Sequence, residues 1–218
     1  MDLGSAAKHY SDVADRVVGM GGKSHYSSQA TLWRWRDAFQ NDFAARMKWT
    51  VTEDPSSVNH QPVVMVNGSE GPEPLLLSIE AGEEVQLDAS QTYDPDDDKL
   101  TFTWWQYKEP SIRPPAHVDV MVPDLDIVKV DDAQQPGSKV KFTLPPPEKC
   151  AIDFMSGEPL TEGLVFHIIL EVKDDGVPAL VTYKRVVIQV TNKQLRGRRG
   201  FPVETVTAWL EIGEKGSS

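Results

Sequence analysis

Leu100-Thr101-Phe102-Thr103-Trp104-Trp105-Gln106-Tyr107 alternates large apolar residues with threonine and then ends in aromatics. Successive side chains of a β-strand point to opposite faces, so Leu100, Phe102 and Trp104 share one face and turn it to a core. Trp105 and Tyr107 then look the other way. The same two-residue rhythm runs through most of the chain beyond Val58, in Pro62–Val66, Leu75–Ile79, Glu84–Ala89, Lys139–Leu144, Leu164–Val172 and Val181–Val190. Each run is short, rich in β-branched or aromatic residues, and bounded by Gly, Pro, Asn or Asp. Short strands at such spacing predict a mainly β chain whose residues 58–192 form a sandwich of two sheets.

Parity assigns the inner positions of the late strands as well. Phe166, Ile168, Leu170 and Val172 belong to one inner face, and Val186, Ile188 and Val190 to the next. His167 falls on the opposite side and is expected to be an ordinary surface group. Between Lys108 and Gly163 the run is broken by Pro110, Pro114, Pro115, Pro123, Pro136 and Pro145–Pro147. Proline cannot donate to a ladder, so strands in this long connection should lie at sheet edges. Residues 193–218 read as a basic loop, one more possible strand over Val203–Ile212, and a fraying tail.

Before the sandwich the period changes. From Gln29 to Trp49, Leu32, Trp35, Phe39, Phe43 and Met47 recur at steps of three and four, which puts them on one face of an α-helix. Ser28 or Thr31 could cap it. A stripe with three aromatics must be covered, either by the sandwich or by another domain. Residues 1–28, interrupted by Gly19, Gly21 and Gly22, read as polar turn and short helix. Residues 1–50 therefore form a helical extension.

The formal net charge of −11 is concentrated in the middle, where residues 51–192 hold 25 acidic and 10 basic groups. Such a surface repels phosphate backbones and anionic lipid, which argues against nucleic acid and membrane as partners. Cys150 stands alone, so no intrachain disulfide and no paired-cysteine metal motif exists. The start Met1-Asp2-Leu3-Gly4 lacks the basic and apolar regions of a signal peptide, which leaves the cytoplasm open unless the chain is part of a longer precursor.

Two sets of residues carry candidate chemistry. Asp94, Asp96 and Asp98 alternate between two strands, and Asp174 and Asp175 end a strand expected nearby. Aspartates in such a loop build tight turns by accepting bonds from their own backbone. They also offer the hard oxygens that Ca²⁺ prefers, and calcium is the one cofactor this sequence suggests. The other set is aromatic: Trp105 and Tyr107 on the outer face, with Trp33 and Trp35 on the helix. Flat rings beside polar groups bind sugars. No nucleophile elbow, phosphate loop or zinc spacing occurs, so no catalytic residue is assigned.

The run from Leu87-Asp-Ala-Ser90 through Tyr93-Asp-Pro-Asp96-Asp-Asp98-Lys-Leu100 to Trp104, with Leu170-Glu-Val172-Lys-Asp174-Asp175-Gly176, resembles polycystic-kidney-disease-type and cadherin-like modules. That implies an immunoglobulin-like sandwich. A second stretch is more specific: Thr31-Leu-Trp33-Arg-Trp35-Arg-Asp-Ala-Phe39 through Phe43, Arg46-Met-Lys-Trp49 to Asn59-His60-Gln-Pro62. It resembles the C-terminal part of a family that joins a nucleoside-hydrolase-like domain to a β-sandwich and whose members are described as cellulose-binding. The resemblance implies that residues 1–50 are the last helices of the hydrolase-like domain and that the sandwich is a non-catalytic companion. It also implies a secreted setting, a polysaccharide such as cellulose as ligand, and a hydrolase-like domain, or a second copy, against the 29–49 helix. The hydrolase family's own aspartate cluster has no counterpart in residues 1–50.

Overall fold

In the computed structural model, which describes residues 15–19, 21–27, 29–111, 122–130, 134–153 and 156–197, the chain enters as a hairpin. β1 (Asp15–Val18) pairs antiparallel with β2 (Ser24–Ser27), where polar turn and short helix were expected. Gly21 and Gly22 turn the chain at positive φ, a conformation that costs glycine little. The glycines that exclude a helix are the ones that close the hairpin. Next come α1 (Ala30–Arg34) and α2 (Arg36–Val51), so the expected single helix is interrupted at Trp35. Gln29, rather than Ser28 or Thr31, stands at the N-cap, and it makes no side-chain capping bond.

The sandwich strands are β3 (Met65–Val66), β4 (Ser69–Glu70), β5 (Leu75–Glu80), β6 (Glu84–Asp88), β7 (Thr101–Gln106), β8 (Val128–Val130), β9 (Lys139–Thr143), β10 (Glu162–Lys173) and β11 (Val181–Thr191). One sheet has the order β6-β9-β8 and the other β5-β11-β10-β7. Within the second, β10 is antiparallel to both neighbours while β5 runs parallel to β11. This partition is that of an immunoglobulin-like β-sandwich. Of the two strands in the proline-rich connection, β8 lies at an edge as expected, but β9 is the central strand of its sheet, because no proline falls within Lys139–Thr143. The small hairpin β3–β4 turns on Asn67-Gly68, both at positive φ, the pair that two-residue hairpins favour.

Phe102 and Trp104 from β7, Phe166, Ile168, Leu170 and Val172 from β10, and Val186, Ile188 and Val190 from β11 are all buried in one core. They meet Val85 and Leu87 of β6 and Val140 and Phe142 of β9 from the facing sheet. Trp104 donates its indole N–H to the Gly137 carbonyl at 3.0 Å, which satisfies the single polar atom of the ring. Lys184 shares the inner parity of β11 and is fully buried. Its ammonium donates to Ser69 Oγ and to the carbonyls of Glu70 and Gly71, so the β3–β4 hairpin receives the charge. Burial lowers the Lys184 pKa all the same.

His167 departs from expectation. It lies on the outer side of β10, as parity requires, yet it is only 6% exposed. The segment after β7, with its turn at Glu109–Ser111, folds against β10, and Tyr107 donates its backbone N–H to the His167 carbonyl. Arg185 lies beside the imidazole on β11 and donates to its Nδ1 at 3.1 and 2.8 Å. Alternation tells which face a residue takes but not whether that face is wet.

The helix is seated by its polar side. Ala45 is buried, Asn41 Nδ2 donates to the Ala179 carbonyl, and Asp42 accepts from Gln61. At the C-terminal end Trp49 donates its indole N–H to the Asn59 carbonyl and stacks on His60. Residues 41, 45 and 49 recur every four positions and so share a face. Phe39, Phe43, Met47 and Val51 recur equally regularly on the opposite face, and all four are exposed together with Leu32. Of the expected stripe, only Trp35 packs on the sandwich.

Candidate functional site

The outer face of the four-stranded sheet carries an aromatic patch. Trp105 of β7 and Tyr183 of β11 lie 6.3 Å apart, edge to face. Trp35, at the break between α1 and α2, settles over them, 4.7 Å from Tyr183, 5.9 Å from Trp105 and 6.4 Å from Tyr107. The break is what allows this, because it turns Trp35 out of line with Phe39 and Phe43. Arg34 lies over the Tyr107 ring at 5.2 Å and reaches Glu109 at 3.9 Å. Burial, with Glu171 nearby, pushes the Tyr183 hydroxyl well above its usual range and keeps it a neutral donor.

The sequence expectation for these rings is therefore met in one respect and altered in another. Trp105 and Tyr107 do face outward, and Trp35 joins them. They are half-buried under each other and do not form an open platform. Trp33 is the exception, standing 47% exposed beside this cluster in sequence. Tyr183 completes the patch and was missed, although its odd position on β11 already placed it on the outer face.

A second feature lies where the loops of the sandwich meet α2. Between β6 and β7, Asp94 Oδ1 accepts the backbone N–H groups of Asp96 and Asp98 at 2.8 and 3.3 Å. Asp97 takes a positive φ, which brings the chain round. This is the expected Asp turn. It also brings one carboxylate oxygen from each of Asp94, Asp96 and Asp98 within 4.8 Å of one another. Asp96 is held by the His60 backbone N–H at 2.6 Å and by the His60 ring.

Asp174 and Asp175 come to the same end of the fold. Asp174 accepts from Asn59 Nδ2, Gly176 N and Leu180 N, and Asp175 accepts from Lys99 N. Both hold neighbouring loops in place. Burial raises the pKa of Asp94, and the negative charges of Asp174 and Asp96 add to it. Asp98 is raised in the same direction, by desolvation first and then by Asp94, Asp174, Asp175 and Asp96. Asn59 and His60, which tie this cluster to the helical extension, carried no signal beyond their place in the resemblance.

A groove of ≈ 440 Å³ lies along the edge strand β8, lined by Glu84, Asp124, Asp126, Val128 and Lys141 among others, without an exposed ring to stack a sugar. Cys150 is buried with its thiol on the Pro145 carbonyl, and burial pushes its pKa up to about 12, so it is no nucleophile.

With β6 to β11 traced, the sandwich can be set beside known proteins. Residues 84–190 match the family model "Cellulose-binding protein Sde0182, C-terminal domain". The Sde0182-like segment runs from the first residue of β6 to the end of β11. It includes Trp105, Tyr107, Asp94, Asp96, Asp98, Asp174 and Asp175, and it leaves out Trp33, Trp35, Asn59, α1 and α2. Among solved structures the chain is similar to a nucleoside hydrolase-related hypothetical protein from Saccharophagus degradans that is associated with carbohydrate metabolism. The identity is 27% and the TM-score 0.57, over 81% of this chain and 40% of that one. This chain thus spans less than half of that protein's length. The resemblance drawn from the sequence is borne out by these two matches.

Weaker likenesses are to mouse clustered PcdhgC3 EC1-3, at 14% identity and TM-score 0.31 over 59% of this chain and 33% of that one, and to human CDH23 EC21-23. The latter has 12% identity and TM-score 0.28 over 60% and 33%. Neither reaches a level from which function follows. No curated protein matches the chain.

Proposed function

We propose that this chain is a non-catalytic accessory part of a larger secreted protein, binding polysaccharide, with cellulose as the first candidate, beside a nucleoside-hydrolase-like domain. The match of residues 84–190 to a domain of a cellulose-binding protein carries this reading. The Saccharophagus degradans relative, associated with carbohydrate metabolism and longer than this chain, supports it. No helix among the described residues is long and apolar enough to cross a membrane.

Trp33 is the ring best placed to test the ligand, because it is exposed and its removal leaves the packed patch intact. The purified chain should be depleted from solution by insoluble cellulose. Trp33→Ala should weaken that retention by roughly 2- to 10-fold, the worth of one stacked ring at ~0.5–1.5 kcal/mol. Trp105→Ala should weaken it too, though by loosening the patch under Trp35. Wild-type protein that stays in the supernatant at every cellulose loading ends the polysaccharide reading.

A second reading, in which the sandwich also buttresses the hydrolase-like domain, is favoured by the stripe Leu32, Phe39, Phe43, Met47 and Val51. Monomeric proteins seldom leave so continuous an apolar face in water. We assign its occupant to the preceding hydrolase-like domain, since the chain covers only 40% of its solved relative and α2 lies outside the Sde0182-like segment. Without that domain the chain should self-associate at tens of micromolar. The double variant Phe39→Asp, Phe43→Asp should sediment as a monomer with an unchanged Tm. A wild-type chain that stays monomeric at high concentration would sink the buttress.

A further inference from the structure

The Asp94 side chain poses a problem that the fold itself does not solve. The residue is 7% exposed, and its Oδ1 is occupied by two backbone donors. Its Oδ2 is buried with no hydrogen-bond partner. A buried carboxylate oxygen without a donor is costly, and folds normally resolve it with a cation or a hydrogen bond. Among the described residues no lysine or arginine pairs with Asp94, Asp96 or Asp98. The charges that act on the Asp94 carboxyl are the negative ones of Asp174 and Asp96.

The geometry points to a Ca²⁺ ion held by the carboxylates of Asp94, Asp96 and Asp98, which bring one oxygen each within 4.8 Å of the others beside the unpartnered, buried Asp94 side-chain oxygen, and we propose this as a structural metal site of the sandwich. Oxygens that share a calcium ion at about 2.3–2.6 Å can lie no more than ~5 Å apart, and the three carboxylates satisfy that limit without rearrangement. The remaining positions of a six- to eight-oxygen shell fall to water and backbone carbonyls, since Asp96 and Asp98 border solvent. Hard oxygens alone, in an irregular loop, suit calcium better than magnesium, which requires a near-ideal octahedron, or zinc, which prefers nitrogen and sulfur.

The supporting groups are already set. The His60 backbone N–H fixes Asp96 Oδ2, and the Asp turn fixes Asp94. Asp174 and Asp175 lie at the same end of the fold, tied to their own loops by backbone N–H groups, and stand outside the group of three carboxylates that lie within reach of one ion. The Asn59 Oδ1 beside Asp174 is a second buried oxygen with no partner. His60 also carries Trp49 of α2, so the ion would brace the join between extension and sandwich.

The test is thermal unfolding of the full chain in EDTA, in excess CaCl2, and in NaCl of matched ionic strength. Calcium at a hundredfold excess over its Kd is expected to raise Tm by roughly 5–10 °C, and NaCl by far less. Asp94→Asn keeps the oxygen that accepts the turn bonds, so it should unfold near the wild-type Tm in EDTA and show no calcium shift. Should that variant fail to fold, Asp98→Asn, at a more open position, should lose most of the shift instead. No shift in wild-type protein at millimolar calcium, or the same shift in wild type and both variants, overturns the site. The outcome is independent of cellulose retention.

Discussion

Trp104→Ala is expected to lower the stability of the chain by about 3–5 kcal/mol, the range for emptying a buried aromatic site. Trp104 is only 9% exposed and sits in the core formed by β7, β10 and the facing sheet. Two losses combine. The first is the apolar burial of the ring and the cavity left behind. The second is the bond to Gly137, whose carbonyl would be stranded in a buried loop. Since domains are stable by only ~5–15 kcal/mol, the variant would forfeit roughly a fifth or more of the total. In urea the midpoint should fall by roughly 1–3 M at the slopes usual for this size. Leu76→Ala, on the outer face of β5 and 73% exposed, is the control and should move it little.

Acidification should produce the other large effect, through His167. Burial first, and the Arg185 guanidinium second, hold the imidazole pKa down to about 4 from its ordinary 6.5. The Arg185 guanidinium donates to Nδ1, so the folded state wants the ring neutral. The unfolded chain takes up the proton first as pH falls. Stability from this group is therefore complete above about pH 6.5, declines below it, and is fully lost near pH 4. The expected loss is about 2 kcal/mol by pH 5 and about 3 kcal/mol at the end. Asp94 and Asp98, with raised pKa values, act in the opposite sense, so the wild-type curve alone is ambiguous. His167→Gln retains an acceptor for Arg185 and cannot titrate. The difference between the two proteins' unfolding free energies, measured from pH 7.5 to 4, should trace this window. A flat difference would show that the ring is protonated in the fold.

The inner faces of the sandwich were legible in the sequence because the period of two is a local property. Phe102, Trp104, Phe166 and Ile188 need only their neighbours to declare a side. The outer face was not legible to the same degree. Whether His167 or Trp105 meets water depends on what arrives from 56 to 70 residues earlier, and no periodicity records that. Helix α2 shows the same limit more sharply. Its apolar stripe was expected to be covered, yet the sandwich takes the opposite face through Ala45, Asn41 and Trp49. Single polar bonds to the Ala179 and Asn59 carbonyls settled the seating, and such bonds leave no pattern. For the acidic loop, spacing did reveal the turn and the company of Asp174. The missing partner of Asp94 Oδ2 emerged only from burial. The Asn67-Gly68 hairpin was missed, although that pair is the usual signal of a two-residue turn.

Helix α2 is pinned at both extremities, by Trp35 on the sheet and by Trp49 on the loop end, over a length of about 24 Å. It thus works as a splint and not as a tether. Any body that grips its outward stripe inherits the orientation of the sandwich, and the two would tumble as one particle at a constant separation. A reach set by rigid geometry, instead of by the slack of a linker, would then fix where that body stands.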